Sequence, residues 1–135
     1  MLGASEIQVL IVEKELNSAS DIRDWAFRNP VLPVFVSSGL EALIWLGKGN
    51  IPDLIMVDSG IEPMEGPDFI KTIKSSGFFQ DIPVLAFGHP ENHPMLANMR
   101  QAGAGEHIFL PVKADFINER LKNFLAPTEK FQDIF

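Results

Sequence analysis

Five short apolar runs constrain this chain more than any other feature: IQVLIV (7–12), VFV (34–36), DLIMV (53–57), IPVLAF (82–87) and HIFL (107–110). Most are nearly continuous, where a half-buried strand would alternate. Such runs belong to strands covered on both faces. Between them the period lengthens to that of helices. Ser18-Ala-Ser-Asp21 reads as a capping box ahead of Ile22, Trp25 and Ala26, and Asn29-Pro30 stops that helix. A second box runs from Ser38 to Glu41, with Leu40, Leu43, Ile44 and Leu46 forming an apolar face and Gly47 and Gly49 its end. Pro67 opens a third helix carrying Phe69, Ile70 and Ile73, with Gly77 beyond it. Pro94 opens a fourth carrying Met95, Leu96 and Met99, closed by Gly103. A fifth, from about Ala114, sets Phe116, Ile117, Leu121, Phe124 and Leu125 on one side and stops at Pro127. Strand followed by helix, five times over, predicts right-handed crossovers and a parallel sheet between helical layers.

A chain of 135 residues suits one domain, here expected over 1–126, with 127–135 as a tail whose Phe131, Ile134 and Phe135 pack on the domain, touch a partner or fray. A 46% hydrophobic, 21% charged composition is that of a globular chain. The net charge of -7 repels phosphate, and lysines and arginines are scattered singly, so no nucleic-acid partner is expected. The absence of cysteine excludes disulfides and thiolate chemistry. MLGASEIQ lacks the pattern of a signal peptide, and no apolar run approaches the roughly 18 residues of a membrane span. The expectation is a cytoplasmic domain with no membrane partner.

In open parallel sheets, chemistry gathers at the carboxyl ends of the strands, near the point where strand order reverses. Glu13 and Lys14, Asp58, Gly88 and Leu110 should therefore face one another across a small crevice.

Several pieces in order carry a family resemblance: LIVEKE, SSGLEAL, PDLIMVD followed by MEG, DIPVLAF, and QAGAGEHIFLPV. With Gly66 eight residues beyond Asp58, the chain resembles a response-regulator receiver domain of two-component signalling over nearly its whole length. The resemblance implies a flavodoxin-like (βα)5 three-layer sandwich, CheY-like, with a five-stranded sheet of order 2-1-3-4-5. It also implies a phosphoacceptor at Asp58, Mg²⁺ held by Glu13, Asp58 and the Gly60 carbonyl, and partners such as a histidine kinase or output protein on the helix 4–strand 5–helix 5 face. Met95, Met99, Phe109 and Phe116 fall on or near that face. Such a domain is no enzyme beyond accepting a phosphoryl group and dephosphorylating itself, and would be a monomer or weak homodimer.

The departures are as informative. Lys14 stands where the resemblance implies a second acid, Gly88 where a Ser or Thr, Leu110 where a lysine, and His107 where a switch aromatic. Mg²⁺ wants oxygen ligands in octahedral array, whereas Lys14 removes one and brings a charge that repels the metal. An ammonium about 4 Å from Asp58 would gain about 4 kcal/mol of gross attraction at an effective dielectric near 20, so Lys14 is expected to neutralise it. Phosphoryl transfer rests on positioning and charge stabilisation, and these substitutions remove both supports. The expectation is a degenerate pseudo-receiver, a signalling interaction module with no cofactor. The alternative is a stand-alone receiver phosphorylated on Asp58, which would need Mg²⁺. An unrelated flavodoxin-like small-molecule binder is a third reading, without a hydroxyl-rich phosphate loop to support it. His89 and His93 read as loop residues beside Pro90 and Pro94 rather than metal ligands, and AGAG (102–105) reads as a helix stop and turn. His107 is open to two readings, a packed surrogate aromatic or a group titrating near neutrality. Leu110-Pro111 is left open between cis and trans.

Overall fold

A computed structural model describes residues 7–14, 20–125 and 131. Its elements alternate as β1 (Ile7–Val12), α1 (Ser20–Arg28), β2 (Val31–Val36), α2 (Gly39–Gly47), β3 (Leu54–Asp58), α3 (Gly66–Lys74), β4 (Val84–Gly88), α4 (His93–Ala102), β5 (Glu106–Phe109) and α5 (Ala114–Phe124). A 3₁₀ turn, Pro90–Asn92, precedes α4. The five strands form one parallel sheet in the order β2-β1-β3-β4-β5. The strand order reverses beside β1, so β1 and β3 flank the switch point. Among the described residues no helix is long and apolar enough to cross a membrane.

Burial on both faces accounts for the continuous runs. Ile7, Val9 and Ile11 of β1 enter the core on the side of α1 and α5, while Leu10 and Val12 enter the core under α2, α3 and α4. Strand β3 divides in the same way, with Leu54 and Met56 on one side and Ile55 and Val57 on the other. Each alternate residue thus meets a hydrophobic layer, and neither face needs a polar position.

The boundaries reveal where sequence signals compete. β2 begins at Val31, earlier than the VFV run, and takes in Pro33 opposite Val9. Proline is tolerated because β2 is an edge strand with one ladder partner. β4 starts at Val84 rather than at 82, and β5 ends at Phe109, one residue before Leu110. The expected cap of α2 holds: Ser38 Oγ accepts the Glu41 N–H at 3.0 Å, but the Glu41 carboxylate reaches back to Ser37 (3.4 Å to its N–H, 3.2 Å to its Oγ). Ser18 lies outside the described residues. Its expected partner Asp21 accepts the Val112 N–H at 2.8 Å, tying α1 to the segment after β5. Pro67 and Pro94 sit in the first turns of α3 and α4. Gly103 ends α4 with φ +130°, a conformation that suits glycine. Gly77 does not cap α3, which stops at Lys74. The peptide bonds Glu62-Pro63 and Leu110-Pro111 are both cis. Phe131 is buried against the α1–α5 core, whereas Pro127, Ile134 and Phe135 lie outside the described residues.

Candidate functional site

Asp58 closes β3 at the switch point, nearly buried. Its Oδ2 accepts the Lys14 backbone N–H at 3.1 Å, and its Oδ1 accepts the Gly60 N–H at 2.9 Å. Two backbone donors from adjacent strand ends therefore fix the carboxylate's orientation.

Glu13 and Lys14 follow β1 and diverge. Glu13 is 3% exposed, and its Oε1 accepts both Nε (2.7 Å) and Nη2 of Arg23 from α1. The Arg23 guanidinium also lies over the Phe35 ring, 4.0 Å from its centroid. Glu13 Oε2 is buried and finds no hydrogen-bond partner among the described residues. Burial pushes the Glu13 carboxyl up from its ordinary pKa. Arg23 opposes that shift without cancelling it, and the nearby Asp58 charge adds to it. The Lys14 ammonium pairs with Glu62 at 3.4 Å, across a largely exposed gap. Its stem runs beside Gly60, where a Cβ would stand 3.4 Å from Lys14 Cδ. The expected role of Lys14 is thus amended: its backbone holds Asp58, and its charge is drawn toward Glu62.

At the end of β4, Gly88 leaves a space that Ser59 fills. A Cβ at residue 88 would stand 2.1 Å from Ser59 Oγ and 2.9 Å from Ser59 Cβ. Ser59 is itself buried; its N–H donates to Phe87 O at 2.8 Å, and its Oγ accepts from Asn92 Nδ2 at 3.2 Å. Gly88 has no hydroxyl of its own, yet the end of β4 does not lack one. One is present, delivered by the residue after the aspartate rather than from β4. Leu110 donates its N–H to Gly88 O at 2.8 Å, but its side chain is buried in the α1–α5 core. It does not face the crevice.

The α4–β5–α5 side collects a different group. His107 Nδ1 lies 3.0 Å from Arg100, and its ring packs edge-on to Phe109 with centroids 5.2 Å apart. Burial, reinforced by Arg100, lowers the His107 pKa. Glu106 bridges Arg120 at 2.6 Å and Arg100 at 3.3 Å; burial pushes its carboxyl up, but the hydrogen bonds and charges outweigh this and hold it low. Phe109 and Phe116 are exposed and line a groove of about 420 Å³, with Lys113 and Arg120 at its walls. Met95 is half-buried. Met99 is fully buried, packed so tightly on α3 that a Cβ at Gly66 would meet its Cε at 2.7 Å. Met99 is therefore a core residue and not an interface residue. Among the described residues no cluster of three or more His, Cys, Asp or Glu side chains is set to hold a metal, His89 and His93 included.

The sequence pattern of the response regulator receiver domain matches residues 9–122. The chain belongs to that family. Among known members, the two-component response regulator ARR7 of Arabidopsis thaliana is 32% identical over 104 residues, which cover 70% of this chain and 50% of that protein. The chain thus spans about half the length of that plant relative. The chemotaxis protein CheY-3 of Vibrio cholerae is 29% identical over 100 residues, 74% of each chain. The signal receiver domain of a signal transduction histidine kinase from Syntrophus aciditrophicus superposes with a TM-score of 0.79 over 98% of both chains, at 23% identity. That superposition bears on the fold, which is the receiver sandwich in every strand.

Proposed function

We propose that this receiver domain acts as a signalling interaction module whose Asp58 crevice is neutralised by the chain's own side chains rather than by Mg²⁺. The observation carrying this reading is the engagement of Glu13 by Arg23. Of the oxygens a metal would need there, Glu13 Oε1 already accepts two guanidinium donors. Residue 14 contributes an ammonium whose stem lies beside Gly60. A dication would enter beside the Arg23 guanidinium and close to the Lys14 stem, with Asp58 and the buried Glu13 Oε2 as its remaining carboxylate donors. Mg²⁺ demands near-ideal octahedral oxygen geometry and gives up water reluctantly, so this donor set does not fit it.

The partners in this reading are cytoplasmic signalling proteins, a histidine kinase or an output protein, that meet the α4–β5–α5 face. Phe109 and Phe116 offer apolar anchors beside Lys113 and Arg120, as a surface for a protein with acidic and apolar side chains would need. Incubation with acetyl phosphate and Mg²⁺ followed by intact mass spectrometry tests the reading. The expected result is an unmodified chain. Stoichiometric modification that disappears in Asp58→Asn overturns it.

One observation favours the alternative, a receiver phosphorylated on Asp58: a buried hydroxyl, that of Ser59, does stand at the end of β4. On this reading a kinase phosphohistidine gives up its phosphoryl group, the P–N bond breaking as a P–O bond to Asp58 forms. Beryllofluoride shifts in the amide spectrum, centred on Asp58, Ser59 and Asn92, would identify it.

A further inference from the structure

α2 is out of keeping with its place on the surface. Its sequence, GLEALIWLG, holds one charged residue, Glu41. A helix apolar on all sides is ordinarily buried on all sides. Ala42 and Leu46 do face the core, but Leu40 is 60% exposed and Ile44, one turn on, is 55% exposed. Leu32 (47%) lies on the sheet face that α2 covers, in alternation with Val34 and Val36, and Ile51 (59%) follows the helix. Four of the eight large hydrophobics exposed among the described residues thus sit on or beside this one element. Apolar residues grouped in this way, unlike scattered ones, mark a covered surface.

Charge placement selects the occupant. At 3.6 residues per turn, Glu41 and Lys48 fall on the same flank of the Leu40–Ile44 stripe, about 60° and about 40° round from Ile44. Along the axis they lie on opposite sides of Ile44, at similar distances. When two such helices pack antiparallel about a two-fold axis, like flanks adjoin, and Glu41 of each copy meets Lys48 of the other. A parallel pair would set this flank against the opposite one and leave both charges unmatched. Lys48 makes no ion pair among the described residues, and Glu41 is committed only to the long contacts with Ser37. On the other flank Gly47 has nothing within 4 Å of a Cβ position, which permits close approach. The surface is complementary to itself, as an isologous contact requires.

We infer that α2 is a homodimerisation face, on which a second copy of this chain packs antiparallel through Leu40 and Ile44 with reciprocal Glu41–Lys48 pairs. The patch is small beside the roughly 1,200 Å² of a stable complex, so the association is weak and concentration-dependent. It does not depend on the chemistry of Asp58.

Sedimentation equilibrium of the full chain at low ionic strength is the test, with circular dichroism to verify that each variant is folded. A monomer–dimer equilibrium is expected that Ile44→Asp abolishes and added salt weakens. Lys48→Glu replaces two attractive pairs by two repulsive ones and should weaken dimerisation about tenfold. Glu41→Lys combined with Lys48→Glu should restore it. A chain that stays monomeric into the millimolar range overturns the inference, including one that instead captures a different protein on this face. So does a dimer indifferent to Ile44→Asp but broken by Phe116→Asp. Failure of the double charge reversal to restore association overturns the antiparallel arrangement.

Discussion

Gly88 and Ser59 form a matched pair, and Gly88→Ala tests the match. The new methyl carbon would stand 2.1 Å from Ser59 Oγ and 2.9 Å from Ser59 Cβ, the first more than 1 Å inside ordinary contact. Turning the hydroxyl away relieves only the closer clash. The Cβ overlap remains, and the Ser59 backbone is tethered by its N–H to Phe87 O at 2.8 Å. Gly88 is not in the left-handed region, so alanine adds no backbone strain and the effect is steric. Overpacking of this kind costs about 1–3 kcal/mol, and losing the Asn92–Ser59 hydrogen bond adds about 1 kcal/mol. Urea unfolding should therefore show Gly88→Ala destabilised by about 2–4 kcal/mol with an unchanged m-value. In a Ser59→Gly background the obstruction is gone, and the same substitution should cost less than about 1 kcal/mol, a coupling that a double-mutant cycle measures directly. If Gly88→Ala costs less than about 0.5 kcal/mol, or costs the same in both backgrounds, the Ser59 hydroxyl does not hold that space and the reasoning fails.

Three further outcomes are expected. Titrated with Mn²⁺, the wild-type chain and Lys14→Asp should show no saturable binding at millimolar metal, because Arg23 still holds Glu13; Lys14→Asp with Arg23→Gln should bind, and saturable binding to the wild type would refute the fit argued for this crevice. Arg23→Ala should lower stability by about 2–3 kcal/mol in urea unfolding, somewhat below the roughly 3–5 kcal/mol of a fully buried broken pair because the arginine reaches solvent, and an effect under about 0.5 kcal/mol would show that Glu13 is not held by that contact. His107, held below its usual 6.5 by burial and then Arg100, binds fewer protons folded than unfolded, so its contribution is intact above pH 6.5 and lost as pH falls through the folded value. The fall in urea midpoint between about pH 7 and pH 5 should flatten in His107→Gln, and an identical slope in both proteins would remove His107 as its source.

The fold was legible because double-sided burial leaves a coarse signature. Five continuous apolar runs and five helical periods recur in order, and each proline or glycine stop falls within a few residues of its element. β2 was the exception, since Pro33 reads as a break unless the strand is known to lie at the edge. Asp58, Glu13 and Lys14 were legible by position, because strand ends at a switch point converge. Their partners were not. Arg23 is an ordinary charged helix residue in sequence, ten positions from the Glu13 that it hydrogen-bonds. Ser59 gains meaning only from the gap at Gly88, twenty-nine positions on and one residue beyond the Asp58–Phe87 register pair. Met99 was misread because an apolar residue at helical spacing fits a core and an interface equally well, and only packing against Gly66 decides between them.

Three positions at this crevice are each met by another residue: Glu13 by Arg23, Lys14 by Glu62, Gly88 by Ser59. That pairing makes substitution at one position costly. Placing an acid at residue 14 alone would remove the partner of Glu62 and set a further carboxylate near Glu13 and Asp58, where burial already pushes Glu13 up and the Asp58 charge adds to it. Placing a side chain at residue 88 alone would collide with Ser59. On the reading proposed above, a metal-binding crevice is therefore more than one substitution away. The shortest route releases Arg23 and replaces Lys14 together, because either cation left in place opposes the charge that an added carboxylate would attract.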